Sequence, residues 1–226
     1  MNLVVTGATG ALGTGLVEVL LARDTTLFLP IVEAELPKHL PWRDNPRVRA
    51  APKVSLDDEA HVAAFYESVP DLWASIHLVG GFAMGKIAET SLADFEKQWR
   101  MNTVTCFLGC REAVKAIRRT GKGGRIVNVA ARPVLVPTPG MISYVASKAG
   151  VASITQALAA EVLGDNILVN AVLPSTIDTP ANRASMPKAD FTIWPKPAQI
   201  AQTIAFLASP ENALTTGTLV PVYGRA

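Results

Sequence analysis

The sequence predicts an α/β domain built on one doubly wound parallel sheet with helices on both faces. Two observations predict it: short apolar runs alternate with amphipathic helical segments along all 226 residues, and a glycine-rich turn joins the first run to the first helix. Strands that alternate with helices through short turns are typical of parallel sheets. No repeat, linker or low-complexity segment divides the chain, so residues 1–226 are expected to form a single domain.

The elements of the first half of the chain follow from hydrophobic periodicity and from the residues that interrupt it. Pro30 is placed at the end of a strand because a central strand tolerates proline badly. Residues 34–53 hold four prolines and scattered charges, so a loop with at most a short helix is expected there. The predicted elements are a strand at Asn2–Thr6, a helix ending by residue 22, a strand at Thr25–Val32, a helix at His61–Ser68 and a strand at Leu72–Val79.

The second half of the chain continues the same alternation. A polar turn at 120–124 is expected to stop a long helix, and a proline-rich loop at 174–197 separates a strand from the next helix. The predicted elements are helices at Leu92–Arg119, Ile142–Leu163 and Ala198–Ala208, and strands at Arg125–Val129, Ile167–Leu173 and Thr218–Val222.

Composition restricts the class of partner. Apolar residues make up 49% of the chain and charged residues 18%, with a net charge of +2, so a nucleic-acid surface is not expected and a small molecule is the expected partner. The longest apolar helix carries Lys148, Gln156 and Glu161, so it is not expected to span a membrane. The first residues lead directly into a strand with no leader pattern, and a cytoplasmic location is expected.

The cysteines and histidines predict no metal site. The two cysteines, Cys106 and Cys110, are one helical turn apart and are expected to be small core side chains. His39, His61 and His77 are far apart in sequence and lie in unlike contexts. We therefore expect neither a metal centre nor a nucleophile–histidine–carboxylate site.

The turn Thr6–Gly13 has the sequence T-G-A-T-G-A-L-G and lies between the first strand and the first helix. Glycine there permits a tight turn, close approach of the backbone to a pyrophosphate and close packing of the helix on the strand. The helix N-terminus then offers free N–H groups to the phosphates. The turn lacks the G-K-[ST] ending of a P-loop, so it predicts dinucleotide binding rather than nucleotide hydrolysis.

The choice between NAD and NADP stays open from the sequence. NAD-binding proteins usually place a carboxylate at the end of the second strand, to hold the ribose diol. Ile31 occupies the expected position, and Glu33 follows two residues later. Glu33 slightly favours NAD, although a solvated loop acid is an equal alternative.

Tyr144 and Lys148 begin a long amphipathic helix four residues apart, which puts both side chains on one face. Hydride transfer to a C=O or C=N group builds negative charge on the heteroatom, so an acid must deliver a proton. A free tyrosine has a pKa near ~10, and a neighbouring ammonium lowers that value. The pair therefore predicts acid–base catalysis by a tyrosine.

Together these motifs identify the chain as resembling the short-chain dehydrogenase/reductase superfamily over nearly its whole length. The matching pieces are the glycine turn, Val79-Gly80-Gly81, Asn102, Tyr144-x-x-x-Lys148, and Asn170-Ala-Val-Leu-Pro174 leading to Thr179-Pro180. The resemblance implies a Rossmann-type NAD(P)-dependent oxidoreductase that acts on a small carbonyl, alcohol or quinonoid compound. Both long helices form subunit interfaces in this family, which implies a homodimer or homotetramer.

The resemblance also implies the roles of individual residues. Tyr144 would be the acid/base, Lys148 its pKa modulator and ribose ligand, and Asn102 the holder of a proton-relay water. The implied cofactor contacts are Gly7, Thr9, Gly10, Ala11, Leu12, Gly13, Gly80, Gly81, Lys148, Pro174, Ile177 and Thr179.

One family residue is missing. The family usually places a serine thirteen residues before the tyrosine, where this chain has Ala131. The substrate would then not need that hydrogen bond, or Thr138 or Ser143 would replace it, or the protein would be a weak catalyst or a dinucleotide-binding sensor or scaffold. The stretches 138–144 and 173–191 resemble the quinonoid dihydropteridine reductase-like branch, which also lacks this serine and acts on an electron-poor substrate.

The loop at about 175–197 is expected to be a short substrate lid. Met186, Phe191 and Trp194 would close an apolar roof over the hydride, although packing in a satellite core is an equal alternative. The expected substrate contacts are Ala131, Thr138, Met186 and Trp194.

Overall fold

A computed structural model describes the whole chain, Met1–Ala226, and contains one sheet of seven parallel strands with helices on both faces. The strands are β1 (Asn2–Thr6), β2 (Thr26–Pro30), β3 (Val48–Ala51), β4 (Leu72–His77), β5 (Gly124–Val129), β6 (Ile167–Pro174) and β7 (Leu219–Val222). The α-helices are α1 (Ala11–Leu21), α2 (Glu59–Glu67), α3 (Leu92–Trp99), α4 (Thr105–Thr120), α5 (Ile142–Glu161), α6 (Pro180–Ser185) and α7 (Pro197–Leu207). The predicted doubly wound fold is confirmed.

The order of the strands in the sheet is β3-β2-β1-β4-β5-β6-β7. The chain therefore reverses its direction of travel across the sheet between β1 and β4, where Thr6 lies in register with His77. In open α/β sheets such a switch point leaves a crevice at the carboxyl ends of the strands, and ligands bind there. The glycine turn leaves β1 at this crevice.

The core lies in two layers, one on each face of the sheet. Along β1, Leu3 and Val5 pack on the layer that α1 and α7 cover, whereas Val4 packs on the layer under α2, α4 and α5. This alternation follows from the two-residue period of a strand. Because both faces are covered, the central strands are buried on both sides and are mostly apolar.

The edge strand β3 was missing from the sequence prediction, which placed only a loop or a short helix at 34–53. Val48–Ala51 pairs in parallel with β2, from Leu27 opposite Val48 to Pro30 opposite Ala51. The side chains of β3 are partly or fully exposed, so the strand has no buried apolar run that periodicity could detect. Pro30 is the last residue of β2, as predicted.

The long helix predicted at Leu92–Arg119 is interrupted. A π-helical turn at Arg100–Val104 separates α3 from α4, and α4 ends at Gly121, whose φ of 65° is left-handed. A π-helical turn adds one residue to the helix and often marks a functional position. Asn102 lies in this turn.

The proline-rich segment at 174–197 is more structured than a loop. It contains α6 and a 3-10 turn at Phe191–Ile193. Thr179 caps α6 by accepting a hydrogen bond from the backbone N–H of Asn182 at 3.2 Å. No helix of the chain combines the length and the apolar character that a membrane crossing requires.

Candidate active site

The backbone of the glycine turn requires glycine at two positions. Gly7 has a φ of +67°, which favours glycine. A Cβ on Gly13 would overlap the carbonyl oxygen of Gly7 and the backbone of Ala8, so α1 packs directly on the turn. Gly10 caps α1 without a side-chain hydrogen bond, and the first turn of α1 has no acidic residue. The N–H groups there are available to an anion, which fits the pyrophosphate of a dinucleotide.

The segment that follows β2 places a carboxylate beside this turn. The hydroxyl of Thr9 donates a hydrogen bond to Oε1 of Glu33 at 3.4 Å. Ile31, at the position where the family carboxylate was expected, is only 4% exposed and packs in the core. Glu33 is therefore the acid that the fold places beside the glycine turn.

Asn102 joins three segments of the chain. Its side-chain oxygen accepts a hydrogen bond from the N–H of Gly81 at 3.1 Å, and its amide nitrogen donates to the carbonyl oxygen of Gly81 at 3.1 Å. The same nitrogen donates to the hydroxyl of Ser147 on α5 at 3.0 Å. The side chain is fully buried. The π-helical turn is thus fixed to the loop after β4 and to α5.

Lys148 crosses from α5 to the end of β5. Its ammonium donates a hydrogen bond to the carbonyl oxygen of Val129 at 2.8 Å, and the residue is 5% exposed. A Cβ on Gly80 would lie 2.9 Å from the Lys148 Nζ and 2.5 Å from the Asn102 Oδ1. Gly80 therefore allows both side chains to reach the carboxyl end of the sheet.

Tyr144 lies one helical turn before Lys148 on α5. Its ring packs edge-on against Phe82, with ring centroids 5.0 Å apart and an angle of 81° between the rings. The hydroxyl of Ser147 donates to the carbonyl oxygen of Tyr144 at 2.8 Å while it accepts from Asn102. Ser147 thus links the Asn102 side chain to the backbone of Tyr144, while the Lys148 ammonium makes its hydrogen bond separately, to Val129.

Comparison with known proteins decides the family. Residues 1–190 match the sequence profile of the family described as short chain dehydrogenase.

The chain belongs to the short-chain dehydrogenase family.

Individual proteins agree with this assignment. A short-chain type dehydrogenase/reductase of Picea abies is 30% identical over 187 residues, which cover 76% of this chain and 69% of that protein. The 3-beta-hydroxysteroid dehydrogenase of Comamonas testosteroni is 31% identical over 172 residues, which cover 70% of this chain and 67% of that protein. This short-chain dehydrogenase is therefore an NAD(P)-dependent oxidoreductase.

Solved structures show the same fold. Levodione reductase is 25% identical, with a TM-score of 0.89 over 99% of this chain and 96% of that one. ElxO with NADP bound is 22% identical, with a TM-score of 0.89 over 99% of this chain and 97% of that one. These likenesses show the same fold over nearly the whole chain.

The ionisation of the tyrosine–lysine pair differs from the expectation. Burial raises the pKa of Tyr144 to about 12 and lowers the pKa of Lys148 to about 8. We expected the ammonium to lower the pKa of the phenol. In this short-chain dehydrogenase desolvation sets the direction of both shifts, and the Lys148 ammonium donates its hydrogen bond to Val129 rather than to the phenol.

The position of the missing serine is filled by a buried methyl group. Ala131 is 4% exposed and precedes a 3-10 turn at Arg132–Val134. Of the two hydroxyls that could replace the serine, Thr138 is exposed and donates to the carbonyl oxygen of Val136 at 3.4 Å. Ser143 is buried in the first turn of α5. Whether either hydroxyl reaches a substrate stays a prediction.

The residues assigned to the predicted lid differ in their contacts and exposure. Pro174 is buried at the end of β6, and the carbonyl oxygen of Ile177 accepts a hydrogen bond from the side chain of Asn182 at 2.8 Å. Met186 is 39% exposed at the end of α6. Trp194 is only 8% exposed and packs on Phe191 with ring centroids 5.0 Å apart. Trp194 thus lies in the packing of the lid, and its contact with a substrate stays a prediction.

Several residues around the site escaped the sequence reasoning. Gln98 accepts from Asn102 through its backbone oxygen at 3.1 Å, and its four-residue spacing from Asn102 is the one available signal. Phe82 and Ser147 gave no signal, because their contacts come from distant segments. His77, treated above as an isolated histidine, lies in a buried cluster with Cys106 and Cys110. The cysteines are buried core residues, as predicted. In addition to packing in the core, they make polar contacts, since the Cys110 sulfur lies within hydrogen-bond distance of the His77 ring.

Proposed function

We propose that this short-chain dehydrogenase reduces a small carbonyl or quinonoid compound with hydride from NADH or NADPH, with Tyr144 as the general acid. The observation that carries the proposal is the position of Lys148. Its ammonium is buried between Val129 and Gly80, one helical turn from Tyr144 and at the carboxyl ends of β4 and β5. This is the crevice in which a doubly wound sheet binds its ligand.

The cofactor would rest on residues that the fold places along this crevice. The glycine turn and the N-terminus of α1 would hold the pyrophosphate, through Gly7, Gly10 and the N–H groups of Ala11, Leu12 and Gly13. The residues assigned to the nicotinamide half are Gly80, Gly81, Lys148, Pro174, Ile177 and Thr179. The bound cofactor would supply the hydride, and Tyr144 would supply the proton to the substrate.

We expect NADH to bind more tightly than NADPH. Glu33 approaches the glycine turn through its hydrogen bond with Thr9. A carboxylate there would accept hydrogen bonds from a ribose diol and would repel a 2′-phosphate.

The ionisation of Tyr144 suits the role of a proton donor. With a pKa of about 12, the phenol is protonated at neutral pH and has a proton to donate to the substrate heteroatom. Once the proton has moved, the phenolate takes a proton back from water. Oxidation of an alcohol needs the phenolate at the outset, which is scarce at neutral pH. Asn102 would hold a proton-relay water, and Lys148 would place its positive charge beside the phenolate.

Ala131 restricts the class of substrate. The alanine cannot donate the hydrogen bond that the family serine makes to a substrate carbonyl, and loss of one such donor costs about 10²–10³ in rate where the reaction depends on it. An electron-poor quinonoid substrate needs that bond less than a simple ketone does. We therefore place quinonoid compounds, dihydropterins among them, ahead of unactivated ketones.

A titration with NADH and NADPH tests the proposal, followed by cofactor oxidation against simple ketones and a quinonoid dihydropterin. We expect binding of both cofactors and faster oxidation with the quinonoid compound. The competing function is a dinucleotide-binding sensor or scaffold with little turnover, which Ala131 favours. Binding without oxidation of either cofactor by any substrate would support that competing function instead.

A further inference from the structure

A buried cluster of His77, Cys106 and Cys110 lies between the end of β4 and the first half of α4. The sulfur atoms of the two cysteines are 4.0 Å apart, and the Cys110 Sγ lies 3.5 Å from the His77 Nδ1. The nearest ligand atoms of all three side chains lie within 4.8 Å of one another. Their exposed fractions are 5%, 4% and 2%. Neither the predicted reaction nor the cofactor uses these groups.

The spacing of these atoms fits tetrahedral coordination. Zinc bonds of about 2.3 Å to thiolate sulfur and about 2.0 Å to imidazole nitrogen place two sulfurs about 3.8 Å apart, and a sulfur and a nitrogen about 3.5 Å apart. The two corresponding distances in the cluster are 4.0 and 3.5 Å. The third pair, the Cys106 Sγ and the His77 ring, lies within 4.8 Å, so this pair would have to close by up to about 1.3 Å for the three groups to share an ion.

A fourth donor atom already faces the cluster. The side-chain oxygen of Asn128 lies 3.5 Å from the Cys110 Sγ and 2.8 Å from the His77 Nδ1. The amide nitrogen of Asn128 donates to the hydroxyl of Thr155 at 2.9 Å, which fixes the oxygen toward the cluster. Asn128 is fully buried on β5. The cluster thus has four buried donor atoms, and the Asn128 oxygen would have to move about half an ångström away from the His77 Nδ1 for both to bind one ion.

The other ring nitrogen of His77, Nε2, also has hydrogen-bond partners. The His77 Nε2 lies 2.8 Å from the hydroxyl of Ser75 and 3.2 Å from that of Tyr66. At present Nδ1–H donates to the Asn128 oxygen, which can only accept, and Nε2 accepts from a hydroxyl. If Nδ1 binds a metal, the ring proton moves to Nε2 and can donate to Ser75. Ligating histidines are usually oriented by a hydrogen bond of this kind.

We propose that His77, Cys106, Cys110 and Asn128 form a structural site for one thiophilic divalent cation of the zinc class. Binding would release the two thiol protons, so that a dication and two thiolates leave a neutral cluster in the core. His77 lies three residues before Gly80, and Cys106 lies four residues after Asn102. A bound ion would therefore fix the loop after β4 to α4. This inference does not depend on the proposed reaction.

Cobalt(II) is the spectroscopic probe for this site. The wild-type protein is first reduced and freed of metal with a chelator. Co²⁺ or Zn²⁺ is then added either to the folded protein or during refolding. The second route is included because the cluster is enclosed, which hinders entry of an ion into the folded protein. We expect one equivalent of cobalt with a thiolate-to-metal charge-transfer band, displacement of that band by zinc, and a higher melting temperature with zinc. The exchange His39→Gln removes an exposed histidine elsewhere and should leave all three results unchanged.

The cysteine variants give the second readout. Cys106→Ala and Cys110→Ala should each lose most of the charge-transfer band and the zinc-dependent rise in melting temperature. Should a variant fail to fold, the wild-type spectrum still decides. Cobalt bound by the wild type without a thiolate band, or no retained equivalent by either loading route, overturns the proposal.

Discussion

The ammonium nitrogen of Lys148 lies 2.8 Å from the carbonyl oxygen of Val129, the last residue of β5. The lysine therefore reaches from α5 to the carboxyl end of the sheet, where Gly80 leaves room for it. This contact fixes the position of the positive charge at the end of the lysine side chain. It also buries the ammonium, which lowers the pKa of Lys148 to about 8.

A lysine buried in this way should reduce stability at neutral pH. The pKa of Lys148 falls from 10.5 to about 8 in the folded protein, so between these values the unfolded chain binds more protons and folding becomes more favourable as pH rises. Relative to Lys148→Met, the wild-type free energy of unfolding should rise from pH 7 to pH 10.5, by up to about 3 kcal/mol. Chemical denaturation of both proteins across this range measures the difference. A difference that stays flat contradicts the burial of a charged lysine.

Exchange of Glu33 should change the preference for the cofactor. In Glu33→Gln the repulsion of a 2′-phosphate near Thr9 is removed, so the Kd for NADPH should fall on the order of five- to tenfold while that for NADH changes little. Fluorescence titration with both cofactors measures this. Glu35→Gln is the matched control, because Glu35 lies on the same loop and pairs with Arg43. An equal response of the two variants would rule out a role for Glu33.

A methyl group on Gly13 should disrupt the turn. Gly13→Ala forces a Cβ into the carbonyl oxygen of Gly7 and the backbone of Ala8, and overpacking of this kind costs about 1–3 kcal/mol. We expect a lower melting temperature and much weaker binding of both cofactors. The control is Gly164→Ala, where a Cβ would meet no atom within 4 Å. If both variants bind cofactor like the wild type, α1 does not hold the pyrophosphate.

A serine at position 131 should help only some substrates. Ala131→Ser restores the donor that the family uses, so turnover of simple ketones should rise by roughly tenfold or more. A quinonoid substrate, which needs the bond less, should show little change. Steady-state kinetics with one compound of each class measure the two responses. A gain of the same size for both classes would remove the argument for an electron-poor substrate.

Much of the fold is readable from the sequence because the central strands are buried on both faces and are mostly apolar. The glycine turn and the tyrosine–lysine pair are local patterns with a direct chemical meaning, so they were found as well. The edge strand Val48–Ala51 was missed because its side chains are exposed. The π-helical turn at Arg100–Val104 has no distinct hydrophobic period.

The parts of the site that the sequence did not reveal depend on contacts between distant segments. Ser147 links Asn102 to the backbone of Tyr144, and no local pattern signals such a link. The cluster around His77 forms only when β4 packs on α4. The direction of the pKa shift of Tyr144 was wrong for the same reason, since burial is a property of the packed structure and not of residue spacing.

The expected homodimer or homotetramer stays a prediction. Trp99 and Phe107 are 40% and 49% exposed on α3 and α4, and apolar side chains on a helix surface suit an interface between subunits. Sedimentation equilibrium of the wild type and of Phe107→Glu measures the state of assembly. We expect an oligomer for the wild type and dissociation for the variant. A wild-type monomer at micromolar concentration would contradict it.

The most direct test of the central claim is to measure two quantities for the Tyr144→Phe variant: its rate of NADH oxidation and its Kd for NADH. Phenylalanine keeps the ring that packs on Phe82 and removes only the proton donor. Loss of a positioned general acid lowers kcat by about 10²–10⁴, so we expect a fall of that size with the Kd unchanged. A variant that turns over substrate as fast as the wild type would show that the proton comes from another group.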